Sequence, residues 1–118
     1  MYRILIIITS LIAIIFLSSC QSIGDQAYHK ANAAFAQGDY NTSFANYLYA
    51  ANQYIVPAEY ALAYQYFYGL GTKRNTVKSV KWLERAAPHS PQARYALHLI
   101  QQKEYAPPWA YKLKTYDQ

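Results

Sequence analysis

The feature that most constrains this chain is a recurrence. Ala50-Ala51 returns as Ala86-Ala87, Ser43 as Ser79 and Ala58 as Ala93, an offset of about 36 residues that suits stacked pairs of helices. Gly and Pro fall between helical stretches: Gly38-Asp39 divides 27–37 from 40–53, Pro57 precedes 58–68, Gly69-Leu70-Gly71 precedes 76–87, and Pro88 and Pro91 precede 92–102. Five helices in pairs follow, and no stretch suggests a strand. The expected fold is all-α, a short α-solenoid of about two and a third helix-turn-helix units. Small residues at Ala50, Ala51, Ala86 and Ala87 let neighbouring helices approach, and the glycines permit positive φ at the turns. So short a stack falls below the three or so repeats usually needed for stability, so the end helix, the tail or a partner must cover its open faces.

The stretch 58–87 resembles the Sel-one-like repeat, a relative of the tetratricopeptide repeat. Ala58, Leu62, Tyr66, Gly69 and Gly71 match that family's first-helix and turn positions, and Trp82 with Ala86-Ala87 matches its second helix. Ala63, Asn75 and Ser79 stand where the family usually has Gly, Asp and Ala, departures expected to loosen helix packing and turn capping without changing the architecture. The earlier unit, with Gly38-Asp39-Tyr40 and Ala50-Ala51, is closer to the tetratricopeptide version, and Ala93 to Leu97 offers a first helix alone. The resemblance implies that first helices line a concave surface and that the role is protein–protein contact.

Ahead of this body, Met1-Tyr2-Arg3 carries one positive charge, Ile4 to Leu17 is apolar but for Thr9 and Ser10, and Ser18-Ser19-Cys20 follows. This is the layout of an export signal, with an apolar run shorter than the roughly 20 residues of a permanent membrane helix. Leu17-Ser18-Ser19-Cys20 resembles the bacterial lipobox. That resemblance implies a diacylglycerol thioether on Cys20 and cleavage before it; an uncleaved anchor and a buried core cysteine are the alternatives. Gln21 stands where Asp would favour inner-membrane retention in enterobacteria, so a lipid-anchored outer-membrane location is expected in a Gram-negative host. The chain thus divides into a lipoprotein signal peptide (1–19), a lipidated linker (20–25), a repeat domain (26–102) and a Pro/aromatic tail (103–118).

Three surfaces invite function. At about 100° per residue, Tyr60, Tyr64, Phe67 and Tyr68 group opposite Ala58, Leu62 and Gly69, so these rings, with Tyr95 and Tyr28, form either a peptide-binding groove or the packing between repeats. Arg74, Lys78, Lys81 and Arg85 form a basic stripe, partly offset by Glu84, that faces either anionic lipid or lipopolysaccharide, or only solvent. In the tail, Pro107-Pro108 stops a helix, and Trp109, Tyr111, Leu113 and Tyr116 either cap the last helix or dock into a partner.

Composition narrows the rest. Fourteen Tyr against four Phe and two Trp suit interfaces as well as cores, and a formal charge of +5 is modest for a nucleic-acid binder. A single cysteine excludes an internal disulfide and a multi-cysteine metal site. His29, His89 and His98 are scattered, Asp25, Asp39, Glu59, Glu84, Glu104 and Asp117 make no close pair, and no phosphate loop or nucleophile motif stands out. No catalytic residue, cofactor or metal is expected, and Asp39 reads as a helix cap. The expected role is an adaptor with an envelope protein partner; the alternative is a structural protein contacting anionic lipid or peptidoglycan.

Overall fold

The computed structural model describes residues 1–8 and 22–102. Residues 2–8 are helical, with their apolar side chains exposed. Five helices follow: α1 (Ile23–Ala36), α2 (Tyr40–Asn52), α3 (Val56–Tyr68), α4 (Thr76–Ala86) and α5 (Pro91–Gln101). Each packs on the next in the chain, and no strand occurs among the described residues. The core has two lobes. One joins Ala31 of α1, Tyr47, Ala50 and Ala51 of α2 and Ala58, Ala61, Leu62 and Tyr66 of α3. The other joins Ala63, Tyr64 and Phe67 of α3 to Leu83 and Ala86 of α4 and Ala93, Ala96 and Leu99 of α5. Alanines dominate both, which is how helices carrying large tyrosines still come close.

Local chemistry sets the helix ends. The Ser22 hydroxyl accepts from the Asp25 amide at 3.1 Å and donates to the Asp25 carboxylate at 2.7 Å, so α1 begins at Ile23 and absorbs part of the expected 20–25 linker. Asp39 caps α2 by accepting from the Thr42 amide at 3.2 Å, and hydrogen bonding from the Thr42 side chain, together with that amide, holds its carboxyl below the usual range. Two consecutive helices close with the same turn. After α1, Gly38 and Asp39 donate to the carbonyls of Phe35 and Ala34; after α2, Tyr54 and Ile55 donate to those of Ala51 and Ala50. The left-handed residue is Gly38 in the first (φ 77°) and Tyr54 in the second (φ 62°). A side chain there costs about 1 kcal/mol that glycine avoids.

The departures from the repeat pattern tighten the second pair, correcting the expectation that they loosen it. Asn75 caps α4 by accepting from the Lys78 amide at 2.9 Å. Ser79, fully buried, donates its hydroxyl to the Ala63 carbonyl at 2.7 Å, so one departure bonds to the backbone of another. Ser79→Ala is therefore expected to cost about 1 kcal/mol, read as a lower urea midpoint with an unchanged slope.

Among the described residues, helix α5 ends the stack. Its apolar side, Ala93, Ala96 and Leu99, is buried, whereas Arg94, Tyr95, His98 and Gln101 are exposed. A mostly polar outer face is what a terminal repeat requires. The expected capping tail, 103–118, lies outside the described residues.

Candidate functional site

Helix α3 is enclosed on nearly every side, because the first pair packs on one flank and α4 with α5 on the other. Nine of its residues are buried, among them Tyr64 and Phe67. These two rings belong to the core, as packing between repeats, the second of the two alternatives, requires. What remains accessible is a tyrosine ridge at four-residue spacing: Tyr60 and Tyr68 are half-buried on either side of Tyr64. The Tyr64 and Tyr68 ring centres are 4.7 Å apart, and Phe35 of α1 meets Tyr64 edge-on at 6.0 Å. Rings from α1 and α3 thus form one surface across two repeats. Burial pushes the Tyr64 and Tyr68 phenols up, Arg74 partly opposing this at Tyr68, so both stay neutral hydroxyls at physiological pH. Tyr28 is half-buried beside Tyr47, with ring centres 6.0 Å apart. Tyr95 is exposed on α5, and Trp109 lies outside the described residues.

The basic stripe breaks up. Arg74 precedes α4, because Asn75 is the cap, and its guanidinium lies 5.4 Å from the Phe67 ring centre. The Lys78 ammonium lies 5.5 Å from the Tyr66 ring. Arg85 turns inward: it pairs with Glu59 at 2.6 Å, donates to the Ala51 carbonyl at 3.0 Å, and covers the rings of Tyr54 at 4.3 Å and Trp82 at 5.1 Å. Glu59 is 2% exposed. Its burial pushes the carboxyl above its ordinary value while the Arg85 charge and hydrogen bond oppose that. Of the four stripe residues, Arg74, Lys78 and Lys81 are exposed, Arg74 just ahead of α4, whereas Arg85 is half-buried against Glu59, so the stripe does not run unbroken along the helix.

Two buried polar nodes escaped the sequence reading. One is the Glu59–Arg85 pair. The other is Gln65, fully buried, whose amide donates to the Ser43 hydroxyl at 2.8 Å and to the carbonyls of Tyr40 and Leu70, each at 3.2 Å. It ties the start of α2 to the turn after α3, where Gly71 lies against the backbone of Tyr40. No cluster of three His, Cys, Asp or Glu able to hold a metal ion occurs among the described residues.

This arrangement defines a class: a short all-α solenoid of helix-turn-helix repeats, with an aromatic ridge on the first helices and polar ties between units. Within it, residues 56–87, which span α3 and α4, match the Sel1 repeat. No curated protein and no solved structure matches the chain.

Proposed function

We propose that the protein is a lipid-anchored scaffold of the bacterial cell envelope, tethered through Cys20 to the outer membrane, that presents its tyrosine ridge to a protein partner. The supporting observation is the ridge itself: Tyr60 and Tyr68 are half-buried and flank the core ring of Tyr64, on a Sel1 repeat, a unit that commonly mediates protein–protein interaction. Tyrosine suits such a surface because its ring supplies area and its hydroxyl supplies direction. The lipobox-like Leu17-Ser18-Ser19-Cys20 supports the tether; Cys20 lies outside the described residues. Two or three acyl chains hold a protein at a bilayer where one does not. Contact through an unbroken basic stripe receives less support, since Arg85 is committed to Glu59.

The double variant Tyr60→Ser/Tyr68→Ser tests the ridge without touching Tyr64 or Phe67. In-cell crosslinking is expected to give a stoichiometric adduct with the parent and at least a tenfold weaker one with the variant, while the thermal midpoint moves by only a few degrees. An undiminished adduct from a folded variant would remove the ridge from the account.

A further inference from the structure

The antiparallel order of the helices gathers the start of α1, the end of α2, the start of α3 and the end of α4 at one end of the stack. The contacts there are explicit. A Cβ on Gly24 would lie 2.9 Å from Gln53 Cβ and 3.0 Å from Ile55, so α1 enters directly beside the α2–α3 turn, and Arg85 near the end of α4 reaches Tyr54 in that turn and the Ala51 carbonyl at the end of α2. Two large apolar side chains project from this end: Ile23 is 68% exposed and Tyr54 is 77% exposed. Tyr54 also holds a left-handed backbone that glycine or asparagine would adopt more easily, so the turn itself does not account for a tyrosine.

We infer that this end of the stack rests on the membrane, with Ile23 and Tyr54 in the headgroup region of the bilayer that holds Cys20. The inference rests on the lipid tether proposed above and adds an orientation to it. Cys20 precedes Ile23 by three residues, which span at most about 11 Å, so an acylated Cys20 brings Ile23 to the bilayer surface. Tyrosine favours that depth because its ring enters the apolar boundary while its hydroxyl stays wet. The charges beside Tyr54 are compensated: the Arg85 guanidinium over its ring is paired with Glu59, and the Asp25 carboxylate accepts from the Ser22 hydroxyl. Docked in this way, the stack stands upright, with the flank of α3 that carries Tyr60 and Tyr68 facing along the membrane rather than into it.

The test uses the processed full chain in phosphatidylethanolamine/phosphatidylglycerol vesicles, with nitroxide labels on Tyr54→Cys, Ile23→Cys and, as a control, Val77→Cys. Val77 is 67% exposed near the opposite end, about 12 Å farther along α4 than Arg85. An acylated Cys20 leaves each engineered thiol as the sole reactive one. The first two labels are expected to be several-fold more accessible to oxygen than to an aqueous nickel complex, and the Val77 label the reverse. Tyr54→Asn, which suits the left-handed backbone, keeps the fold and shifts the Ile23→Cys label toward water. A protein that floats with the vesicles and carries acyl mass, yet shows aqueous labels at both sites, overturns the docking and spares the tether. One that neither floats nor carries acyl mass overturns both.

Discussion

Replacing Gly71 by alanine is expected to cost about 3 kcal/mol and to lower the thermal midpoint of the helical stack by more than about 10 °C. Two effects add. Gly71 has φ 69°, where a side chain costs about 1–2 kcal/mol, and its Cβ would collide with the Tyr40 carbonyl and crowd the Asn41 amide. That obstacle is backbone at the first turn of α2, beside the Gln65 amide that also uses the Tyr40 carbonyl, so relief would pull the two repeats apart. Gly38→Ala separates the terms. Gly38 has φ 77° with nothing within 4 Å of its Cβ position, so it carries the backbone cost alone, about 1 kcal/mol. Equal losses from the two variants, measured by urea denaturation, would show that the contact between Gly71 and Tyr40 contributes nothing.

Arg85→Ala is expected to be comparably damaging at neutral pH, about 3 kcal/mol, because it strands a buried carboxylate. The figure sits at the low end of the range for broken buried pairs, since the Arg85 side chain is 34% exposed and solvent screens part of the interaction. The sign of the pH dependence follows from Glu59. Burial raises its folded-state pKa above the ordinary 4.5, and Arg85 opposes the rise. A raised carboxyl stabilises the fold below its unfolded value, and that contribution is lost as pH climbs through the folded value. Without Arg85 the rise is larger and the loss steeper, so the penalty of Arg85→Ala is greatest near pH 7 and shrinks toward pH 4. Glu59→Gln in the same chain removes the stranded charge and restores most of the stability at pH 7. A penalty that is flat with pH, or a double variant no better than Arg85→Ala, would contradict this role.

The sequence carried the architecture in its punctuation. Gly38, Pro57, Gly69, Gly71 and Pro91 break the chain where turns or helix starts must fall, and the paired alanines fix which faces approach. Helix ends were readable to within a few residues; the largest shift, at α1, comes from the Ser22–Asp25 cap, hidden behind a glycine at the third position. The polar ties were harder to see because they join residues distant in the chain. A signal existed all the same. In an antiparallel helix pair, residues equally far from the turn face each other, which sets Glu59 opposite Arg85 and brings Ser79 within two residues of the level of Ala63. A lone carboxylate among the apolar residues of α3 calls for such a partner.

The aromatic face shows a different limit. Helical periodicity groups Tyr60, Tyr64, Phe67 and Tyr68 together but does not say how many neighbours enclose a central helix. Two of these rings lie in the core and two remain at the surface because α3 is flanked from both directions. Nor does periodicity find Tyr54, whose position is set by the turn after α2 and whose exposure depends on where α1 and α4 end.

The account depends most on the covalent state of Cys20. Intact mass and fragment spectra of the protein isolated from bacterial membranes are expected to show a chain that begins at Cys20 and carries a diacylglycerol on its sulfur, and Cys20→Ser is expected to lose both the cleavage and the lipid. A mature chain with an unmodified Cys20, or a Cys20→Ser form that is processed and fractionates like the parent, would contradict the tether and the envelope role built on it.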